Sequence, residues 1–108
     1  MRRVMVRYRV KPGQVAANEE LVRAVYAELD RARPDGFRYA TFKLDDGVSF
    51  VHLATHEGDH NPLSEIEAFG RFQAGIRDRC DEPPVVTELE VVGSFRFSEE
   101  QEARTGSY

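Results

Sequence analysis

The first half of the chain has one segment with the period of a strand and one with the period of a helix. Residues 4–10 alternate, which predicts a strand. One side carries Val4, Val6, Tyr8 and Val10, and the other carries Met5, Arg7 and Arg9. From Gln14 to about Arg33, apolar residues recur every three or four positions, which indicates an amphipathic helix. Pro34-Asp35-Gly36 ends that helix.

A β-hairpin is predicted next. Residues 37–44 and 48–55 are rich in aromatic and β-branched residues, and Asp45-Asp46-Gly47 separates them. With Asp46-Gly47 as a two-residue turn, Asp45 pairs with Val48 and Thr41 pairs with His52. One face then carries Phe37, Tyr39, Thr41, Lys43, Phe50, His52 and Ala54, and the other carries Arg38, Ala40, Phe42, Leu44, Ser49, Val51, Leu53 and Thr55.

The remaining residues predict a second helix and a last strand. Asn61-Pro62 is typical of a helix start, and the residues from Ser64 to Glu67 form a competing capping box. This helix runs to about Arg79, although glycines at positions 70 and 75 make two shorter helices an alternative. Residues 81–84 are predicted as a linker and residues 85–97 as a long strand. The polar residues 98–108 form a tail.

The order strand, helix, strand, strand, helix, strand predicts an α+β fold of the ferredoxin-like βαββαβ type over residues 1–97. In this fold two helices cover one face of a four-stranded antiparallel sheet. The uncovered face is apolar as well, with Met5, Phe42, Leu44, Val51, Leu53, Val86 and Val92, and Arg7 and Arg9 are expected opposite Glu88 and Glu90. Because soluble monomers seldom expose so large an apolar patch, we predict a homodimer through this face. A half-polar face in contact with water is the alternative.

Composition narrows the classes of partner. The chain has 108 residues, enough for one domain, and a net charge of −4 with interspersed signs, which disfavours nucleic acid and anionic membranes as partners. No apolar stretch approaches the ~18–20 residues of a transmembrane helix, and arginines interrupt the apolar run of the first ten residues, unlike in a signal peptide. With a single cysteine, Cys80, no internal disulfide can form. A cytoplasmic protein is therefore expected.

The three histidines, His52, His56 and His60, are spaced four residues apart. On a strand, His52 and His56 would be about 13 Å apart at ~3.3 Å per residue, too far to share one metal ion. A loop site formed by His56, Glu57, Asp59 and His60 is the remaining alternative for a metal, and our leading interpretation includes none.

His52 has two interpretations. The first is a buried core histidine with a hydrogen-bond partner such as Thr41. The second is a general base or hydrogen-bond donor in a ligand pocket, since an imidazole titrates near neutrality and suits proton abstraction from a phenol. The predicted lining of that pocket is Tyr8, Tyr39, Thr41, Phe50, His56, Phe69 and Phe72.

Two stretches, VRYRVKPGQ and PDGFRYATFKLDDGVSFVHLATH, resemble the dimeric α/β-barrel superfamily, in particular its antibiotic-biosynthesis-monooxygenase-like branch. Gly36 and Tyr39 match the start of that family's second strand, and Phe50 matches the aromatic residue of its third. The resemblance covers roughly residues 3–97. It implies a ferredoxin-like subunit, two sheets packed into a dimeric α/β barrel, and a cavity between sheet and helices. It also implies the oxidation of phenols by molecular oxygen without a cofactor.

The chain departs from the family pattern at two positions. Ala54 and His56 stand where the family often has an acidic residue and a tryptophan, and the chain has no tryptophan. The set expected of haem-degrading relatives is also missing, with Val6 and His56 at its first two places and no histidine on the second helix. We therefore predict a cofactor-independent monooxygenase-like protein that acts on a small aromatic or polyketide-like phenol, with His52 catalytic. The alternatives are a non-catalytic binding or accessory protein of the same fold, and an isomerase or cyclase.

Overall fold

The computed structural model describes residues 1–97, and the predicted tail lies outside them. Its elements are β1 (Arg2–Val10), a 3-10 turn (Pro12–Gln14), α1 (Val15–Ala32), β2 (Phe37–Lys43), β3 (Ser49–His56), a second 3-10 turn (Pro62–Glu65), α2 (Glu67–Gln73), α3 (Ile76–Arg79) and β4 (Cys80–Glu88). The strands form one antiparallel sheet in the order β2-β3-β1-β4. This is the ferredoxin-like arrangement, and the predicted fold class is confirmed.

The hairpin has the predicted register but a longer turn. Thr41 pairs with His52 and Lys43 pairs with Phe50, as predicted. The predicted pair of Asp45 with Val48 is wrong, because the last hairpin bond joins the Leu44 N–H to the Ser49 carbonyl at 2.8 Å. The Asp46 carboxylate accepts hydrogen bonds from the backbone N–H groups of Val48 and Ser49, which stabilises the four-residue loop.

The second helix is broken in two, as the alternative prediction had it. Gly75 adopts φ +76° between α2 and α3, a left-handed conformation that glycine accommodates without strain. Asn61 caps the preceding 3-10 turn by accepting the Leu63 N–H at 3.0 Å. The capping box at Ser64 does not form. The first N–H groups of α2, on Glu67 and Ala68, donate instead to the Glu28 carboxylate of α1 at 3.1 and 2.9 Å.

The predicted linker at residues 81–84 is wrong, because β4 begins at Cys80 and includes Pro83 and Pro84. These prolines are tolerated because β4 is an edge strand that pairs only with β1. The strand also ends at Glu88 rather than at position 97. Beyond it, several apolar side chains are exposed: Leu89, Val91, Val92, Phe95 and Phe97.

The register of β4 corrects the predicted membership of the two faces. Two register shifts occur between Arg7 and Val10. Because the two one-residue shifts together amount to two residues, even-numbered residues of β4 oppose even-numbered residues of β1 on both sides of them. Val86 lies opposite Val6, on the face that the helices cover, and not on the other face as predicted. The predicted pairing of Arg7 and Arg9 with Glu88 and Glu90 is also wrong. Arg7 lies opposite Val85, Arg9 contacts Glu82 at 3.5 Å, and Glu88 forms its ion pair with Arg2.

The core lies between the sheet and the helices. Its buried apolar residues are Tyr8, Val10, Val25, Phe50, Leu63, Ile66, Ala68, Phe72 and Cys80. Burial raises the pKa of the Cys80 thiol, which makes a thiolate unfavourable there. We call this side of the sheet the helix-covered face. On the opposite, helix-free face, Phe42 is 51% exposed and Val85 is 62% exposed. Within residues 1–97, no helix has the length and apolar character that a membrane span requires.

Candidate functional site

His52 lies in the middle of β3 on the helix-covered face, and its side chain is 4% exposed. Both ring nitrogens have hydrogen-bond partners. Nε2 is 2.8 Å from the Tyr8 hydroxyl of β1, and Nδ1 is 2.5 Å from the Tyr39 hydroxyl of β2. Thr41, directly opposite on β2, is a more distant partner of Nδ1 at 3.3 Å. The hairpin register predicted from the sequence brings these groups together.

On the Tyr8 side, the hydrogen bonds continue into the helices. The Asn18 amide of α1 donates to the Tyr8 hydroxyl at 2.8 Å. The buried Arg79 side chain, at the end of α3, donates from Nε to the Asn18 amide oxygen at 3.3 Å. The two Nη groups of Arg79 donate to the backbone carbonyls of Phe72 at 2.7 Å and Ala74 at 3.2 Å. This arginine is therefore held by three neutral oxygen acceptors.

On the Tyr39 side, the hydrogen bonds extend to the first helix. The hydroxyls of Tyr26 and Thr41 are 2.8 Å apart, and Thr41 in turn is 3.3 Å from Nδ1 of His52. We call the connected set the His52 network. Its members are Arg79, Asn18, Tyr8, His52, Tyr39, Thr41 and Tyr26. The network extends across the core from α3 to α1. His52 is the one histidine among its members and lies near its centre.

Aromatic rings enclose the network. The Tyr8 ring stacks on Phe50 with centroids 5.5 Å apart, and the His52 ring lies 5.3 Å from Phe72. Phe69 stacks in turn on Phe72 at 5.9 Å. The structure thus brings most of the predicted lining residues together, but as mutually packed core side chains. Tyr8, Phe50, His52 and Phe72 are each at most 5% exposed.

The apolar surroundings set the ionisation of the network. Burial lowers the pKa of His52 to about 4, because removal from water disfavours the charged imidazolium. Burial raises the pKa of both Tyr8 and Tyr39, for which the negative phenolate is the disfavoured form. At neutral pH the imidazole and the two phenols are therefore uncharged. Proton transfer to His52 requires a compensating negative charge nearby.

A surface cleft of about 880 Å³ lies next to the network, between the end of α1 and the start of β2. Tyr26 and Tyr39 line this cleft and also belong to the network. Their rings stack at 5.3 Å, and Phe37 extends the row by stacking on Tyr39 at 5.7 Å. Charged side chains surround the row: Arg23, Asp30, Arg33, Asp35 and Arg38. Tyr39 is thus the predicted site residue that joins His52 to the cleft.

His56 is a second buried histidine of β3, four residues beyond His52 and opposite Phe37. It is 2% exposed, and its Nδ1 atom has no hydrogen-bond partner among the described residues. His60 lies apart from it and contacts Glu65 at 3.5 Å. Within residues 1–97, no group of three or more histidine, cysteine, aspartate and glutamate side chains is arranged to hold a metal ion.

Sequence reasoning missed Asn18 and Arg79, although each interrupts an apolar pattern. Asn18 lies three residues after Val15, four before Val22 and seven before Val25, on the apolar face of α1. Arg79 follows Phe72 and Ile76 at the same helical spacing. A polar residue at a core position must find a buried partner. That rule indicates both residues, but it does not name their partners.

Several solved structures have a similar chain fold. A protein from Nitrosomonas europaea with the provisional name antibiotic biosynthesis monooxygenase is 18% identical, with a TM-score of 0.71 over 86% of this chain and 100% of that one. A protein from Caulobacter crescentus with the same provisional name is 18% identical, with a TM-score of 0.66 over 85% and 90%. Rv0793 from Mycobacterium tuberculosis is 20% identical, with a TM-score of 0.65 over 86% and 96%.

No family model matches the chain, and no protein of curated function matches it in sequence. The structural similarity nevertheless covers 90–100% of the three neighbouring chains. The chain therefore has the ferredoxin-like fold of antibiotic-biosynthesis-monooxygenase-like proteins, and the resemblance found in the sequence is confirmed at the level of fold. Because such a fold supports many chemistries, the activity has to be argued from the site.

Proposed function

We propose that this protein is a cofactor-independent monooxygenase-like enzyme that binds a small aromatic phenol in the cleft beside Tyr39. The observation that carries the proposal is that Tyr39 both lines the cleft and bonds to His52 through its hydroxyl. Buried polar networks are unfavourable unless every member is satisfied, and they concentrate at functional sites. A volume of about 880 Å³ lies within the range of ligand pockets.

The cleft has features that suit an aromatic ligand. The stacked rings of Tyr26, Tyr39 and Phe37 form a flat apolar row against which a polycyclic ring can pack. The hydroxyls of Tyr26 and Tyr39 are hydrogen-bonded within the network, which holds both rings in place beside a ligand. The charged side chains around the row give the rest of the cleft a polar lining.

The proposed reaction needs molecular oxygen and no other co-reactant. In an anthrone-type phenol, loss of a proton gives an electron-rich carbanion-phenolate that reacts with oxygen at the ring methylene carbon. One oxygen atom becomes the new carbonyl oxygen, and the other leaves as water with the two methylene hydrogens. The substrate thereby supplies all four electrons that reduce the oxygen molecule.

His52 takes part in this scheme through Tyr39, because its own ring is nearly inaccessible. With a pKa of about 4, the imidazole is a weak base in the unliganded core. It can accept a proton only when a phenolate in the cleft provides the compensating charge, or it can serve as a hydrogen-bond donor that orients Tyr39. Both roles predict that His52 and Tyr39 act as one unit.

The proposal includes a homodimer formed through the helix-free face. Phe42 and Val85 are largely exposed in the single subunit, with Met5, Val51 and Leu53 between them on the same face. A second copy that packs sheet against sheet would remove these apolar side chains from water, in line with the dimeric α/β barrel that the sequence resemblance implies.

Oxygen uptake with dithranol, a dihydroxyanthrone, tests the activity. We expect turnover above the uncatalysed background, and we expect His52→Ala and Tyr39→Phe each to lose about a hundredfold in rate, the magnitude seen when an oriented catalytic donor or base is removed. His60→Ala is the matched control, because His60 is exposed and lies outside the network. Uptake at the background rate for the unmodified protein, over a broad panel of phenols, would contradict the proposal.

A non-catalytic binding protein is the second candidate function. It is favoured by the hydrogen-bond partners at both nitrogens of His52, which leave the imidazole no free acceptor for a substrate. Quenching of tyrosine fluorescence by dithranol measures binding separately from turnover. Saturable quenching without oxygen uptake would support the binding function and exclude the oxygenase function for this ligand.

A further inference from the structure

The His52 network contains one group whose hydrogen-bonding direction is fixed by chemistry. A guanidinium group can donate hydrogen bonds but cannot accept them. The contact of Arg79 Nε with Asn18 must therefore use the amide oxygen of Asn18 as acceptor. This orients the asparagine so that its NH₂ group, which can only donate, points to the Tyr8 hydroxyl.

The orientation of Asn18 then fixes the direction of the hydrogen bond between Tyr8 and the imidazole of His52. The Tyr8 oxygen accepts from Asn18, so its own hydrogen is available for the other partner, Nε2 of His52 at 2.8 Å. A neutral imidazole carries hydrogen on one nitrogen only. Because Nε2 accepts from Tyr8, the hydrogen belongs on Nδ1, which donates to the Tyr39 oxygen at 2.5 Å.

The opposite direction leaves a buried donor unused. If Nε2 carried the hydrogen and donated to Tyr8, the Tyr8 hydroxyl would receive two hydrogen bonds, and its own hydrogen would have no acceptor among its two partners. An unsatisfied buried donor is unfavourable by roughly 1–3 kcal/mol. Tyr8 is 1% exposed, so bulk water does not offer a replacement acceptor.

We infer that Asn18 and Arg79 are positioning residues that hold His52 in the Nδ1–H tautomer and thereby present Tyr39 to the cleft as a hydrogen-bond donor. Since Tyr39 accepts from His52 and lines the cleft, its own hydrogen is available to an oxygen of a ligand bound there. Such a donor favours a ligand with a negatively charged oxygen, a phenolate or an enolate. The tautomer follows from the structure alone, and its catalytic consequence rests on the proposed function.

Long-range proton–nitrogen correlation NMR of the full chain tests the tautomer directly, because protonated and unprotonated imidazole nitrogens resonate in separate regions. The His52 signals are assigned by their loss in His52→Gln. At neutral pH we expect hydrogen on Nδ1 and none on Nε2. A spectrum with the hydrogen on Nε2 would overturn the inference, and this measurement requires only the unmodified protein.

Asn18→Asp is the most informative variant, because it should reverse the direction of the hydrogen bond between Tyr8 and His52 while the shape of the side chain hardly changes. An aspartate accepts from both Arg79 and Tyr8, so Tyr8 then turns its hydrogen away from His52 and accepts from Nε2. We expect the tautomer ratio of His52 to shift toward Nε2–H by about fivefold, the factor that corresponds to one net hydrogen bond. Asn61→Asp is the control, because it makes the same change at a turn outside the network.

Two further measurements keep the outcomes distinct. If Asn18→Asp does not fold, Tyr8→Phe takes its place, and loss of the Nδ1–H preference is expected because the Nε2 donor is gone; an unchanged tautomer in either variant overturns the inference. In oxygen uptake with dithranol, Asn18→Asp should lower kcat about tenfold with little change in KM. Absence of uptake in every protein contradicts the proposed function, whereas the NMR result decides the tautomer by itself.

Discussion

The two faces of the sheet place polar and apolar groups in opposite ways. On the helix-covered face, the polar side chains of Asn18, His52 and Arg79 are buried, and each has hydrogen-bond partners within the core. On the helix-free face, Phe42 and Val85 are exposed. The buried hydrogen bonds are formed within one chain. The exposed apolar side chains of the helix-free face have no such partner among residues 1–97 of the single subunit. With the proposed dimer, substitutions on the two faces should differ in kind: those on the helix-covered face should lower folding stability, and those on the helix-free face should weaken the dimer.

The largest effect is expected at Arg79. Replacement by Met leaves the Asn18 amide oxygen and two backbone carbonyls without their buried donor, so Arg79→Met should lower the free energy of unfolding by about 3 kcal/mol. The exposed neighbour Arg77 provides the matched control, and Arg77→Met should stay within about 0.5 kcal/mol. Urea unfolding measures both. Equal midpoints for the two variants would show that the network does not contribute to folding.

A pH dependence of nearly the same size is expected from His52. Its pKa is about 4 in the folded protein and 6.5 in the unfolded chain, so the unfolded state binds more protons between these values. The contribution to stability is fully present above pH 6.5, is lost as the pH falls toward 4, and amounts to about 3 kcal/mol. Urea unfolding between pH 4 and 8 should show this slope for the unmodified protein and for His60→Gln. The slope should be much smaller for His52→Gln, and a persistent slope there would assign it to other groups.

Tyr8 and Tyr26 allow a comparison within the network. Tyr8→Phe leaves the Asn18 amide and His52 Nε2 without a partner in the deepest part of the core, so we expect a loss of about 2 kcal/mol. Tyr26 is half-buried and has one hydrogen bond, to Thr41, so Tyr26→Phe should lower stability by less than about 1 kcal/mol. Thermal unfolding followed by circular dichroism ranks the two. A larger loss for Tyr26→Phe than for Tyr8→Phe would show that the hydrogen bond at the cleft end contributes more to stability than those in the deep core.

The smallest effect on the fold of the subunit, but the clearest on assembly, is expected on the helix-free face. Phe42→Glu and Val85→Glu place a charge on an exposed surface, so secondary structure should be unchanged. If the two sheets pack together, each substitution should convert a dimer to a monomer in light scattering coupled to size exclusion. Gln73→Glu adds the same charge on α2 and should remain dimeric. A monomeric unmodified protein at micromolar concentration would contradict the proposed interface.

Sequence reasoning was strongest where one strand pattern decides the outcome. The alternation on either side of Asp45-Asp46-Gly47 predicted the hairpin register, and with it the position of Thr41 opposite His52. It failed in β4, where the Pro83-Pro84 pair suggested a linker and the two faces of the strand were assigned the wrong way round. The faces depend on which residues of β4 pair with β1, and the alternation within β4 does not record that pairing.

The candidate site was predicted in part for a similar reason. Residues on neighbouring strands, such as Tyr39, Thr41 and His52, follow from pairing rules. Asn18 and Arg79 lie 61 positions apart, on α1 and α3, and only the tertiary fold brings them into contact with each other. The sequence also predicted an open pocket around His52, whereas these aromatic side chains pack against one another and the cleft lies farther out, at Tyr39.

The two consecutive prolines of β4 have a consequence for how copies of this chain can meet. Successive amide groups of a strand point to opposite sides, so one of Pro83 and Pro84 leaves a gap in the amide hydrogens that the outer side of β4 could offer to an added strand. The prolines thus disfavour edge-to-edge pairing of β4 with a strand of a neighbouring molecule. Such pairing of exposed edge strands is a route to aggregation. The proline pair that made β4 look like a linker in the sequence therefore also disfavours aggregation through the β4 edge.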